Sequence, residues 1–190
     1  VKIVLASASP RRQALLVQLG LDFETDLLNG PEEAPVGPDW RAGARRLALA
    51  KARAVAPRHP GALIIAADTF GVRGKRLLGK PASPAEAVSM LSVLSGRWHR
   101  VISGFALLDM AGGRERTGAV ETRVRLRRLT TAEINGYVAT GEPLDKAGAY
   151  GIQGLGATLV DRIDGDYFNV VGLPLSALSV ALREFGVRLF

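Results

Sequence analysis

The stretch LASASPRR, residues 5–12, sets two arginines directly behind a helix-start signal. Ser9 suits the N-cap and Pro10 the first helical position, so Arg11 and Arg12 fall in the first turn. Unpaired backbone N–H groups make that end of a helix positive, and each cation there is unfavourable by roughly 0.3–1 kcal/mol. A bound polyanion reverses the sign. Each guanidinium then grips phosphate oxygens through two parallel hydrogen bonds, and the hydroxyls of Ser7 and Ser9 add donors. The alternative is a pair of exposed arginines tolerated at small cost, and the segment alone leaves both readings open.

Two more charged residues sit where charge is unexpected. Trp40, Ala44, Leu47, Ala48 and Val55 recur at helical spacing, and Lys51 falls within that apolar stripe. Such a lysine either snorkels to water, the commoner arrangement, or points at a counter-charge. Asp68 closes the apolar run GALIIAAD, residues 61–68, at the strand end where open α/β sheets place ligand chemistry. An ionised carboxylate there can hold a divalent metal or activate water; the structural alternative is that Asp68 and Thr69 cap a turn. The glycine-dense stretch DKAGAYGIQGLGA, residues 145–157, offers Lys146 and Gln153 as polar handles. The amide of Gln153 can both donate and accept, as the edge of a nucleobase requires, although an ordered turn explains the glycines more simply.

Two similar patterns fail. Residues 74–80 read G-x-x-x-x-G-K, but Pro81 stands where a phosphate loop needs Ser or Thr for magnesium, and no helix begins there. GIQGLG, residues 151–156, does not match the dinucleotide-binding fingerprint.

The elements that must position these residues alternate. Patterning predicts strands over 1–6 and 61–68, with two brief strands around Arg73–Lys75, and strands over 99–109, 117–128 and 157–163. It predicts helices over 10–19, ended by Gly20, and over 39–56, then from a capping box at Ser83–Glu86 to Gly96, and over 131–139 and 174–185. Residues 29–40 are rich in Gly, Pro and acids and read as a loop. The expected class is α/β with a mixed twisted sheet and flanking helices, forming one domain over residues 1–190 with two lobes around a central cleft. The chain has no cysteine and two histidines, which excludes disulfides, thiolate metal sites and multi-histidine zinc. No apolar stretch reaches the length of a membrane span and no signal segment is evident, so a cytoplasmic protein is expected. The net charge of +7 suits an anionic partner, and aromatic content of 6% argues against a single-strand nucleic-acid binder.

These segments together resemble the Maf family, the septum-formation-inhibitor homologues that act as nucleoside triphosphate pyrophosphatases. The likeness runs through LASASPRR, the glutamate of PEE at 33, LAKARA around Lys51, AADT at 66–69 and LGKP at 78–81. It continues through LSG at 94–96, DKAGAYGIQG at 145–154 and GDYFNVVGLPL at 165–175, in family order. Phe70–Gly71 departs from the aliphatic pair usual after the aspartate-threonine.

The resemblance implies a fold like that of the inosine triphosphate pyrophosphatases, often as a homodimer. It implies cleavage between the α and β phosphates with a divalent cation such as Mg²⁺ or Mn²⁺. Carried over by motif, Ser7, Ser9, Arg11, Arg12, Lys51 and Lys80 would surround the phosphates. Glu33 and Asp68 would bind metal or activate water, with Asp68 as general base. Arg12, Thr69 and Gln153 mark the subgroup that hydrolyses dTTP and UTP, with 5-methyl-UTP and pseudo-UTP as further candidates. The alternatives are an inosine/xanthosine or 7-methyl-GTP pyrophosphatase and a nucleic-acid-binding division regulator.

Overall fold

A computed structural model describes residues 1–27 and 38–190. Glu33 and most of the loop expected over 29–40 lie outside the described residues. The described strands are β1 (Ile3–Leu5), β2 (Glu24–Thr25), β3 (Leu63–Arg73), β4 (Arg76–Leu78), β5 (Trp98–Asp109), β6 (Arg114–Leu126) and β7 (Val160–Asp164). The helices are α1 (Pro10–Gln18), α2 (Trp40–Val55), α3 (Pro84–Leu94), α4 (Thr131–Ala139), α5 (Tyr167–Val171) and α6 (Leu175–Arg183). The sheet order is β2-β1-β3-β5-β6-β7, with β4 paired to β3. β1 is parallel to both β2 and β3, whereas β3–β4 and β6–β7 are antiparallel, so the sheet is mixed as expected. No helix among the described residues is long and apolar enough to cross a membrane.

The chain forms two compact units. The first contains residues Val1–Thr69, Ile102–Val120 and Gly172–Phe190; the second contains Phe70–Val101 and Glu121–Val171. In the first, the alanines of α2 (Ala48, Ala52) and Val55 pack on Val4, Ile64, Ala66, Ala106 and Leu108 of β1, β3 and β5. Small side chains let helix and sheet approach closely. At Gly104 of β5 an added Cβ would collide with the backbone of Ala44. In the second unit α3 and α4 cover the sheet through Leu91, Leu94, Ile134 and Val138, against Val101, Val124 and Leu126.

Local signals account for most of the described helix starts. Ser9 caps α1, with Pro10 at its first position, and Gly20 follows its end at φ 70°. Asp39 caps α2 by accepting from Ala42 N at 3.0 Å. Ser83 caps α3, but the Glu86 carboxylate reaches Ala82 N at 2.6 Å, so the expected box closes one residue further back. A reciprocal capping box opens α4 at Thr130 and Glu133.

The main correction concerns β3. Asp68 does not end it: the strand continues to Arg73, because Phe70 and Val72 are buried and Gly71–Arg73 pair with β4. The first of the two brief strands expected around residue 74 is the tail of β3. A Cβ at Gly71 would stand 3.2 Å from Leu78, so glycine permits this pairing at ordinary separation. β7 begins at Val160, not 157, since Gly154–Leu159 form a 3-10 turn. The short β2 and α5 were not expected.

Candidate functional site

Along β3 the residues from Leu63 to Val72 are buried except two neighbours, Asp68 and Thr69. Polar groups survive in a sheet interior when partners satisfy them, and both have partners here. Lys51, on the sheet-facing side of α2, forms an ion pair with Asp68 through Oδ1; the side chains are 23% and 16% exposed. Lys51 therefore meets a counter-charge and does not snorkel. The apolar stripe of α2 is what directs it there, because the same face packs on β3. Asp68 Oδ2 is left without a partner among the described residues.

Thr69 belongs to a second group of contacts. The Arg12 guanidinium donates from Nη2 to Thr69 Oγ1 (3.1 Å), from Nη1 to Ser7 Oγ (3.2 Å) and from Nε to the Gly172 carbonyl (2.9 Å). Thr69 Oγ1 lies 2.7 Å from Ser103 Oγ and donates to the Gly172 carbonyl at 3.2 Å. Ser7 Oγ also accepts from Ser9 N at 3.2 Å, which sets the backbone entering α1. Arg12 thus ties the start of α1 to β3, β5 and the turn before α6. The fork of the guanidinium, with donors at fixed angles, suits it to this role as lysine would not.

Arg11 differs. It is half-buried in the first turn of α1 and makes no hydrogen bond or ion pair among the described residues. No acidic residue occupies that turn. Its charge adds to that of the helix end, which is the arrangement of an anion site.

Lys80 and Gln153 belong to the second unit, and both are exposed. The glycine-dense stretch is ordered into successive 3-10 turns, and Gly148 N donates to the Gly79 carbonyl at 3.0 Å, next to Lys80. Gln153 has extended backbone immediately before the turn Gly154–Leu159.

Sequence reasoning missed Ser103 and Gly172, which complete the surroundings of Thr69. Ser103 left a signal. It is a hydroxyl, 0% exposed, within the otherwise apolar VISGFALL of β5. Gly172, at φ 137°, left none, because its contribution is a carbonyl.

As a chemical arrangement, the first unit offers a partly exposed carboxylate paired to an ammonium, adjoining a threonine fixed by Arg12. The same segment supplies a helix N-terminus with a further cation and two serine hydroxyls. This combination suits hydrolysis of a phosphate ester or anhydride, in which positioning and charge neutralisation dominate.

The chain belongs to the Maf-like protein family, whose model matches residues 2–185. Relatives span its length. A protein of Moorella thermoacetica named dTTP/UTP pyrophosphatase is 53% identical over 186 residues, covering 98% of this chain and 96% of its own. One of the same name from Symbiobacterium thermophilum is 49% identical over 189 residues, covering 100% and 96%. Among solved structures, a HAM1 protein from Coxiella burnetii shares the fold at a TM-score of 0.56 and 19% identity, covering 97% of this chain and 99% of its own.

Proposed function

We propose that this protein is a nucleoside triphosphate pyrophosphatase that hydrolyses dTTP and UTP to the monophosphate and pyrophosphate. The observation that carries the reading is the Lys51–Asp68 pair, set beside Thr69 in the interior of a buried strand. The full-length likeness to relatives named dTTP/UTP pyrophosphatase supports the substrate.

In this reading Asp68 is the general base. Lys51 holds one carboxylate oxygen, which orients the other toward a water. The water oxygen attacks the α phosphorus as its proton passes to Asp68. The bond from that phosphorus to the oxygen bridging to the β phosphate breaks, and pyrophosphate leaves with the electron pair. Arg11, the hydroxyls of Ser7 and Ser9, and Lys80 neutralise and grip the leaving phosphates. Arg12 and Thr69, bonded to each other, shape the site as a unit, and Gln153 reads the base.

The described residues hold no group of three or more His, Cys, Asp or Glu able to bind a metal. A single carboxylate together with substrate phosphate oxygens is nevertheless a donor set that Mg²⁺ accepts, so the site fits a divalent cation carried with the nucleotide. Asp68 would hold it, joined by Glu33, and the ion would neutralise charge on the phosphate oxygens. The same reading treats residues 1–190 as one domain, acting in the cytoplasm as a homodimer on free nucleotides.

The test is a screen of canonical and modified nucleoside triphosphates for pyrophosphate release. UTP and dTTP, with 5-methyl-UTP and pseudo-UTP beside them, are expected to lead. Preference for ITP, XTP or 7-methyl-GTP would reassign the substrate, and absence of pyrophosphate release from every nucleotide would overturn the enzyme.

A further inference from the structure

The segment carrying Gln153 is held on both sides by one carboxylate and one phenol. Before it, Gly151 N donates to Tyr137 Oη at 3.3 Å. After it, Leu155 N donates to Glu142 Oε2 at 3.0 Å and Gly156 N to Oε1 at 2.8 Å. Tyr137 Oη in turn donates to Glu142 Oε1 at 2.9 Å, so the two anchors are joined. Lys146 Nζ donates to the Glu142 carbonyl at 2.8 Å and pairs with Asp145 at 2.7 Å, which fixes the backbone from which Glu142 projects.

The glycines of this stretch follow from these contacts. A Cβ at Gly156 would stand 2.6 Å from Tyr137 Oη, and one at Gly154 would stand 2.9 Å from Glu142 Oε2. Gly154 also has φ 68°, which side-chain-bearing residues rarely adopt. The glycines therefore admit the anchor itself. Tyr137 rises from the buried face of α4, whose start the Thr130–Glu133 box secures. Gln153 itself is exposed, between pinned neighbours.

We infer that Tyr137 and Glu142 are positioning residues for nucleobase selection: they fix the backbone on both sides of Gln153 and so set where its amide is presented. The inference rests on Gln153 reading the base. Glu142 suits a permanent anchor. Its partial burial would raise its pKa, but the Gly156 and Leu155 N–H groups and the Tyr137 hydroxyl outweigh that effect and hold it below the usual carboxylate range. Burial, then the hydrogen bond to Glu142, pushes the Tyr137 phenol above its ordinary value, so it remains a donor.

The test compares kcat and KM for UTP and ATP in the full-length enzyme. The variants are Tyr137→Phe, Glu142→Gln, Gln153→Ala and the two double variants with Gln153→Ala. Tyr137→Phe and Glu142→Gln are each expected to lower the preference for UTP over ATP by about tenfold, through KM for UTP. In the Gln153→Ala background neither should lower it further. If Gln153→Ala alters the preference while Tyr137→Phe and Glu142→Gln do not, the positioning role is overturned and base reading by Gln153 stands. Equal loss of kcat on both nucleotides, with preference retained, also overturns it. If Gln153→Ala leaves the preference unchanged, base reading fails and the inference falls with it. Tyr137→Phe removes a single oxygen, so it decides the matter should Glu142→Gln not fold.

Discussion

Arg12 donates to the Gly172 carbonyl, Ser7 and Thr69, whereas Arg11, its neighbour in the same turn, bonds to none of the described residues. Their alanine variants should therefore diverge in stability. Arg12→Ala strands partly buried acceptors and is expected to destabilise by about 1–3 kcal/mol in urea melts. Arg11→Ala relieves repulsion at the helix end and should leave stability within about 0.5 kcal/mol, while raising KM for UTP. Asp68→Asn removes the proposed base and is expected to lower kcat for UTP by at least about a hundredfold in a pyrophosphate-release assay. Retention of full turnover would withdraw that role. Before the structure, the type and placement of Arg11, Arg12, Lys51 and Asp68 already marked them as unusual. Which of them were paired was not legible, since Arg12 and Thr69 lie 57 positions apart and Lys51 and Asp68 lie 17 apart.

Where α2 crosses β5, Gly104 leaves room for the backbone of Ala44. Gly104→Ala would push away the helix that delivers Lys51 to Asp68. It is expected to cost about 1–3 kcal/mol, read as a lower urea midpoint with unchanged m-value, together with loss of UTP turnover. Elements whose limits are written locally were legible. Pro10 and Gly20 bound α1, Ser83 opens α3, and the hairpin of β5 and β6 has its turn at 110–113. Limits set by distant partners were not. β3 is extended by pairing with β4, β2 is two residues held on β1, and β7 starts where Val160 pairs with Leu126 of β6, its register shifting between that pair and Arg162–Arg125.

At the scale of the whole molecule the net charge is +7, and some of the arginines behind it are held in ion pairs. Arg123, Arg125 and Arg127 pair with Asp164, Asp161 and Glu133 at the surface, where such ion pairs contribute little to stability. Burial matters more at His99, which is 3% exposed. Its Nε2 lies 2.6 Å from Tyr150 Oη, and its Nδ1 has no partner among the described residues. Burial, then the charge of Arg73, holds its pKa down at about 4, against 6.5 ordinarily. Between those values the unfolded chain binds a proton that the native protein does not. Stability should therefore fall as pH drops from 6.5 toward 4, with a slope of up to about 1.4 kcal/mol per pH unit. Urea melts across that range should show a shallower slope for His99→Gln, and an identical slope would exclude His99 as the cause.

Neither compact unit is a continuous piece of polypeptide: the chain passes from one to the other within β3, β5 and β6, and again at Val171–Gly172. No single cut can excise either half intact, because any terminal deletion long enough to remove one also strips strands from the other. Loss of activity in a truncated gene product therefore says nothing about where the chemistry resides, and only point substitutions can map it.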